Sequence, residues 1–467
     1  MLLAFHIMGI ISSVHAVMST RTSQGTIAWL VCLLTFPYLA VPAYWVLGRN
    51  KFNGYVTARR SASGRLRPLV AEAGLSIAPF RLPEGESMDS VRAAAALARL
   101  PVLSGNDVEL LMDGEACFDD ILSGVRRAKN YVLFQFFIIR DDGLGRRVKT
   151  TLMEKVAEGV PIYFIYDEIG CHALPEAYLL ELREAGVEVA AFNTRKGKGN
   201  RFQINFRNHR KTVIVDGDSA WLGGHNVGDE YLGKSRRFGH WRDTHMRIDG
   251  PAALAVQLSF VEDWHWATGS IPALNWQPAA GARGDDARVL VIPSGPADSL
   301  ETANLLFVHA INSAQERIWI ASPYFVPDES IVTALQLAGL RGVDVRVLIP
   351  NKPDHLLVYL AAFAYIDQSS ETGVQFYRYT HGFLHEKVTL IDSSIATVGT
   401  ANLDNRSFRL NFEITAAVAD EPFIASVEQM FIDDFSQSEL MKKNTLANKP
   451  WWFRFVVRLA KLAAPVQ

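Results

Sequence analysis

Two stretches of the chain repeat one arrangement of reactive side chains. His209, Lys211, Asp216, Gly223-Gly224 and Asn226 keep the relative spacing of His385, Lys387, Asp392, Gly399-Thr400 and Asn402. Histidine exchanges protons near neutral pH and can also act as a nucleophile. The nitrogen ends of Lys and Asn are donors that suit anionic oxygens. Brought face to face, the two stretches supply two histidines inside a cage of Lys211, Lys387, Asn226 and Asn402. That set fits a phosphodiester. One His attacks phosphorus, the other protonates the departing oxygen, and the cage holds the non-bridging oxygens as charge develops. The lysines bring the positive charge that a divalent ion would otherwise supply, so neither metal nor cofactor is expected.

The elements that carry these residues follow from their pattern. If His209–Asp216 is a strand, His209 and Lys211 share one face with Val213 and Val215, and Asp216 falls on the other. Asp216 and Asp392 belong to the repeated motif with His209, Lys211, His385 and Lys387, but this parity makes them structural, tying down the turn that follows. His240 and His245 lack a third ligand nearby and do not have the spacing of a metal site.

The repeated pattern is similar to the H-x-K-x4-D signature of the phospholipase D superfamily. Within it, Asn205-Phe206-Arg207-Asn208-His209-Arg210-Lys211 resembles the bacterial cardiolipin synthases. So do Trp241-Arg242-Asp243-Thr244-His245, Ser294-Gly295-Pro296, Ser322-Pro323-Tyr324-Phe325-Val326-Pro327, Asn402-Leu403-Asp404-Asn405-Arg406-Ser407-Phe408 and Asn411-Phe412-Glu413. The resemblance implies an α/β fold of two phospholipase-D-like halves, related by a pseudo-twofold duplication with the active site between them. It implies that each histidine is held by an acid further along its own half, at Asp243 and Glu413. It assigns His209 as nucleophile and His385 as acid and base. The implied reaction joins two phosphatidylglycerol molecules into cardiolipin and glycerol through a phosphatidyl-histidine intermediate. A phospholipase-D-type hydrolase, or a transferase using another donor such as phosphatidylethanolamine, would share the same motifs. Two positions depart from the pattern: Gly224 stands where many superfamily members have Ser, and Gln135 where the family usually has Glu.

Composition narrows the partners. With 47 Lys and Arg against 49 Asp and Glu the 467-residue chain is nearly neutral, which argues against a nucleic-acid enzyme held by bulk charge. Cys32, Cys117 and Cys171 have neither a disulfide framework nor metal spacing, as expected in a reducing compartment. Membrane lipid is the expected partner, because Arg21 is the only charged residue before Arg49. Leu2–Met18 and Thr26–Leu47 are apolar runs of about spanning length joined by the polar turn Ser19–Gly25, which predicts a transmembrane helical hairpin. Arg49, Lys51, Arg59, Arg60, Arg65 and Arg67 precede the first acid, Glu72, so the positive-inside rule puts the catalytic body on the cytoplasmic face of a bacterial inner membrane.

The expected organisation is a membrane hairpin (1–48), a connector (49–104), a first half (105–272), a second half (285–445) and a C-terminal amphipathic helix (446–467). Helices are predicted over Phe118–Lys129, Val148–Glu158, Leu305–Gln315 and Ile331–Leu340. Buried strands are predicted over Tyr131–Ile139, Pro161–Tyr166, Ile318–Ala321 and Val343–Ile349. Arg195, Lys196, Lys198, Arg201, Arg207, Arg210 and Lys211 form an acid-free basic stretch, either a contact for anionic lipid or a solvated loop. Trp264 and Trp266 read as packing residues. The segment after Pro450 alternates cations and large apolar residues at helical spacing. It reads as a helix lying in the membrane plane, with packing on the protein body as the competing reading.

Overall fold

A computed structural model describes residues 2–19, 22–48, 52, 54–56, 71, 74–82, 89–192 and 205–464. Arg195, Lys196, Lys198, Arg201 and the basic residues from Arg49 to Arg67 lie outside the described residues.

The first half contributes strands β1 (Leu103–Met112), β2 (Val132–Phe136), β3 (Ile162–Asp167), β4 (Glu188–Phe192), β5 (Arg207–Asn208), β6 (Thr212–Val215), β7 (Ser219–Gly223), β8 (Trp241–Arg242) and β9 (Thr244–Asp249). The second contributes β10 (Ala287–Ser294), β11 (Arg317–Ala321), β12 (Phe325–Val326), β13 (Asp344–Pro350), β14 (Gln375–Tyr379), β15 (Phe383–Leu384), β16 (Val388–Ile391), β17 (Ile395–Gly399), β18 (Leu403–Asp404), β19 (Asn411–Ala419) and β20 (Ser438–Leu440). The main sheet runs β4-β3-β2-β6-β7-β9-β1-β10-β19-β17-β16-β11-β13-β14-β20. Read outward from the β1–β10 seam, the two halves have the same strand order, and β20 extends the second. At the seam Leu103 faces Val289 and Asn106 faces Ala287, antiparallel.

The pattern of the chain explains this arrangement. Val132–Phe136 is buried at every position, as befits a strand covered on both faces. It is preceded by the helix Gly114–Arg127, whose Cys117, Phe118, Ile121, Leu122 and Val125 pack under the sheet. The corresponding unit of the second half, helix Thr302–Ser313 and β11, packs into a separate core. A third core joins the halves across the seam, from Ile214, Leu222 and Met246 to Leu390, Val398 and Ile414. Trp264 and Trp266 are buried in the helix Ala253–Thr268, in line with the packing reading.

The N-terminal segment differs from the expected hairpin. Its second apolar run is two helices, Ser23–Thr35 and Pro37–Leu47, broken at Phe36 where φ is −130° and ψ 56°. The break has a local cause: Pro37 has no N–H and disfavours helical geometry in the residue before it. Among the described residues, no helix is long and apolar enough to cross a membrane.

Candidate active site

Neither motif histidine lies on a long strand. β5 ends at Asn208 and β6 begins at Thr212, so His209 and Lys211 sit on the irregular link between them. The face parity expected for a continuous strand therefore does not apply. The link bends because β5 leaves the main sheet and pairs with β19 of the other half, Arg207 against Asn411 and Asn208 against Phe412. The His209 N–H then donates to the Phe412 carbonyl at 2.9 Å. The second motif repeats the device. β15 pairs with β8 of the first half, and the His385 N–H donates to the Arg242 carbonyl at 2.8 Å.

These two clasps decide which acid holds which histidine. His209 Nδ1 lies 2.9 Å from Glu413 Oε2 and 3.1 Å from Oε1. His385 Nδ1 lies 2.7 Å from Asp243 Oδ2. Each acid therefore serves the histidine of the opposite half. The expectation that each histidine uses an acid of its own half is corrected, because the clasp strand of each histidine runs beside the acid-bearing segment of the other half. An ionised carboxylate only accepts, so each Nδ1 carries the proton and each Nε2 is left bare.

Burial sets the charges. Loss of water pushes both imidazoles down to about 4. Glu413 and Asp243 pull the other way, and Lys211 and Lys387 reinforce the fall. Burial would raise Asp243, but Lys387, His385 and His225 outweigh it and hold the carboxyl far below its usual range. Glu413 is likewise held low, with burial outweighed by His209, Lys211 and the Thr400 hydroxyl. At rest the site holds two neutral imidazoles against two carboxylates.

Both lysines are buried, and burial lowers Lys211 to about 7 and Lys387 in the same direction. Lys211 Nζ donates to the His209 carbonyl at 2.6 Å, and Lys387 Nζ donates to the His385 carbonyl and lies 2.8 Å from His385 Nδ1. Neither lysine makes an ion pair with a described carboxylate. Two buried ammonium groups without contact counter-ions make a place for an anion. Asn226 and Asn402 are buried beside them in the same motifs. Asn226 Oδ1 accepts from the Ile138 N–H at 3.0 Å, and its Nδ2 reaches Tyr231 Oη at 3.3 Å. Asn402 Nδ2 reaches Asp404 Oδ2 at 3.4 Å. Each carboxamide keeps a second N–H to give.

Asp216 and Asp392 are away from this chemistry. Asp216, at φ 57°, accepts from the N–H groups of Lys129, Asn130 and Tyr131 at 2.7–2.9 Å. Asp392, at φ 52°, accepts from Gln315, Glu316 and Arg317. Both tie the chain entering β2 or β11 instead of the turn after themselves, and neither is bonded to a motif histidine or lysine. Their part is structural, in the chain before β2 and β11 and not in the turn expected.

His240 and His245 also part company. His240 Nε2 pairs with Asp113 at 2.8 Å, and His245 Nδ1 faces His225 Nδ1 at 3.1 Å. With Cys117 these two rings bring donor atoms within 4.8 Å of one another. His245 Nδ1 also accepts the His225 N–H at 3.2 Å, and both rings are buried with no hydrogen-bond partner for either Nε2 among the described residues.

With the geometry in place, comparison with known proteins is informative. Residues 307–435 match the family described as "Cardiolipin synthase, PLD-like domain", and residues 7–49 match "Phospholipase_D-nuclease N-terminal". The chain is 47% identical to Cardiolipin synthase A of Pseudomonas fluorescens (strain SBW25), covering 99% of this chain and 96% of that one. It is 45% identical to Cardiolipin synthase A of Pseudomonas aeruginosa (strain LESB58) over 100% and 95%. The chain belongs to the bacterial cardiolipin synthase family. The crystal structure of phosphatidylserine synthase from Haemophilus influenzae Rd KW20 shares the fold, with a TM-score of 0.61 at 16% identity over 81% of this chain and 100% of that one.

Several residues that brace this cardiolipin synthase site carry no signal in the motifs. Arg210, inside the first motif, donates to Asp263 Oδ2 at 2.9 Å and to the Glu413 carbonyl at 3.1 Å. Arg242, beside Asp243, grips Asp434 through two hydrogen bonds at 2.8 and 3.0 Å and lies 3.0 Å from Glu386, inside the second motif. Asp263 and Asp434 lie on the helices that follow the two acid-bearing segments, Ala253–Thr268 and Glu421–Ser436. Asp263 also explains Gln135: its Nε2 donates to Asp263 Oδ2 at 2.8 Å, a position where a glutamate would set two carboxylates together. Duplication places Asp263 and Asp434 alike, each on the helix after an acid-bearing segment, whereas both arginines belong to the first half.

Proposed function

We propose that the chain is a membrane phosphatidyltransferase that makes cardiolipin and glycerol from two molecules of phosphatidylglycerol. The observation that carries this reading is the crossed pair of dyads, His209–Glu413 and His385–Asp243, beside two buried lysines without contact counter-ions. A phosphodiester entering between the lysines brings negative charge. That charge raises both imidazoles, so one gains the proton it must donate. His209 Nε2 attacks phosphorus, and the bond to the headgroup glycerol breaks. His385 Nε2 gives its proton to the departing oxygen. A second phosphatidylglycerol then offers its glycerol hydroxyl, the now neutral His385 Nε2 takes that hydroxyl's proton, and the phosphorus–nitrogen bond breaks as the oxygen bonds to phosphorus and cardiolipin forms. Lys211, Lys387, Asn226 and Asn402 hold the non-bridging oxygens throughout. Asp243 and Glu413 orient the imidazoles, and Asp216 and Asp392 tie down the chain entering β2 and β11. His209 and His385 are each 8% exposed, a setting that favours transfer over attack by water.

The N-terminal helices support the membrane part of this reading through an inside-out pattern. Ser12 is buried and accepts from Trp45 Nε1 at 3.0 Å, and His15 Nδ1 lies 2.7 Å from Tyr44 Oη. Leu3, Ile7, Ile11, Val14 and Leu39 face outward. An apolar exterior around a polar interior suits lipid. We therefore read residues 1–48 as a bilayer anchor, with the catalytic body on the cytoplasmic side.

Pure phosphatidylglycerol in mixed micelles tests the reaction. Mass spectrometry is expected to find cardiolipin and glycerol in equal amounts, with little phosphatidic acid. Mostly phosphatidic acid would make the protein a hydrolase. Release of ethanolamine only after phosphatidylethanolamine is added would change the donor. A cysteine placed in the Ser19–Gly25 turn of intact cells is expected to label from outside, and labelling of the catalytic body instead would reverse the orientation.

A further inference from the structure

The helix Trp451–Leu462 divides into three sectors, and only one of them is used by the protein. At about 100° per residue, Trp451, Trp452, Phe455, Val456, Leu459 and Leu462 fall in one arc of roughly 140°. All six are exposed, Trp451 and Leu462 to 77%. The next arc carries Phe453, Val457 and Ala460. These pack on the helix Leu356–Ser370, with Phe453 edge-on to Phe363 at 5.4 Å and Val457 and Ala460 buried. The last arc carries Arg454, Arg458 and Lys461. Lys461 lies over the Tyr365 ring and near Glu329, whereas Arg454 and Arg458 are exposed and make no ion pair with a described residue. Beyond Glu439 the chain has six cations, Lys442, Lys443, Lys449, Arg454, Arg458 and Lys461, and no acid.

We propose that this helix, held rigidly to the body by one apolar sector, inserts its other apolar sector into the surface of an anionic lipid bilayer. The two competing readings of the segment are thus both partly right, on different faces of one helix. A helix serving only to pack would place polar residues on its outer side, but here the outer side carries two tryptophans, a phenylalanine and two leucines. The choice of lipid over a protein partner rests on charge. Arg454 and Arg458 border the apolar arc, where their stems can lie along it and their heads meet headgroup phosphates. An acid-free run bearing six cations complements a negatively charged leaflet. The contact is separate from the phosphodiester chemistry, and it uses a part of the chain far in sequence from the N-terminal anchor.

The test uses the full-length protein in vesicles, in a Cys32→Ser background, since Cys117 and Cys171 are buried. Phe455→Cys and, separately, Leu459→Cys are labelled with an environment-sensitive fluorophore. In vesicles of equal parts phosphatidylcholine and phosphatidylglycerol, emission is expected to shift to shorter wavelength and to be quenched by lipids brominated along their acyl chains. Phosphatidylcholine alone is expected to give a much smaller shift. Arg454→Gln with Arg458→Gln is expected to weaken this insertion by roughly 25-fold, taking each cation as about fivefold, with turnover in detergent micelles unchanged. Emission that stays water-like in both vesicle types would overturn the proposal. So would a shift that disappears when the protein is diluted across more vesicles, which would assign the face to a second copy of the chain. Equal shifts in both lipids would remove the anionic selectivity and overturn the proposal as stated.

Discussion

The two acid seats perform one task with different parts. In the first, Asp243 takes an Nδ1–H from His385 and accepts the Thr244 N–H at 2.8 Å. Its short side chain keeps the carboxylate close to the backbone, so a Cβ at Gly224 would lie 1.9 Å from Asp243 Oδ1. In the second, Glu413 reaches further, and the residue matching Gly224 is Thr400, whose hydroxyl donates to Glu413 Oε2 at 2.6 Å. Asn411 adds a second donor to Glu413 at 3.1 Å. A short acid demands an empty neighbour, whereas a long acid leaves room for a hydroxyl that fixes it. The departure of Gly224 from the superfamily's serine is therefore a consequence of having aspartate at 243.

The largest effects should ignore this difference. His209→Ala and His385→Ala are each expected to lower turnover by about 10³-fold or more with the fold retained, measured by cardiolipin formation and circular dichroism. An active variant of either would end the idea that the dyads work as a pair. Acid quench after brief exposure to radiolabelled lipid should place phosphate on His209, and label on His385 would exchange the two roles.

Next come the orienting acids. Asp243→Asn and Glu413→Gln keep the shape but can offer an N–H to Nδ1, which favours the wrong tautomer. Each is expected to cost roughly 10²–10³-fold in turnover. Nitrogen-15 NMR of the imidazoles should show the tautomer change on the histidine of the opposite half, and a change on the same half would contradict the crossed pairing.

The seats themselves should then separate. Gly224→Ser is expected to cost about 10²-fold because Asp243 must move, while Thr400→Ala, losing one hydrogen bond, should cost only about fivefold. Similar losses at both positions would mean that the size argument is wrong.

A milder effect lies in pH. Both imidazoles are neutral in the free enzyme above about 4, so the proton that His385 donates is taken up on the way to the transition state. Accordingly, kcat/KM should rise as pH falls from 6 to 5 and turn down only near 4, where the nucleophile is protonated as well. Above about 7 the buried Lys211 loses its proton and its hold on phosphate, so KM should rise. A fall centred near the ordinary histidine value would show that both rings are more hydrated than the geometry implies. The smallest effect should be that of EDTA, with activity in detergent unchanged because Lys211 and Lys387 already face the anionic oxygens. Loss restored by one divalent ion would refute this.

Much of the architecture is written locally. The spacing of the two motifs marks the duplicated halves, and the strands expected over Tyr131–Ile139 and Val343–Ile349 coincide with the shorter β2 and with most of β13. The crossed dyads do not, because Glu413 lies 204 residues from His209 and Asp243 lies 142 residues from His385, joined only by clasp strands two residues long. Periodicity has nothing to register in so short a strand. For the same reason His209–Asp216 reads as one strand when its first part is an irregular link. Asp263 and Asp434 are invisible as acids on otherwise ordinary helices; Asp263 is braced within its own half, and the Arg242–Asp434 brace emerges only once the halves are folded together.

The β5–β19 clasp also sets a timetable for the newborn chain. His209 leaves the ribosome without its acid, and the 204 residues to Glu413 take on the order of ten seconds or more to be added at roughly 5–20 residues per second. The anchor proposed at the N-terminus is made first and would reach the bilayer during that interval. Throughout it, a polypeptide surrounded by its own substrate carries an unfinished nucleophile, and becomes reactive only when its last quarter arrives to close the clasp.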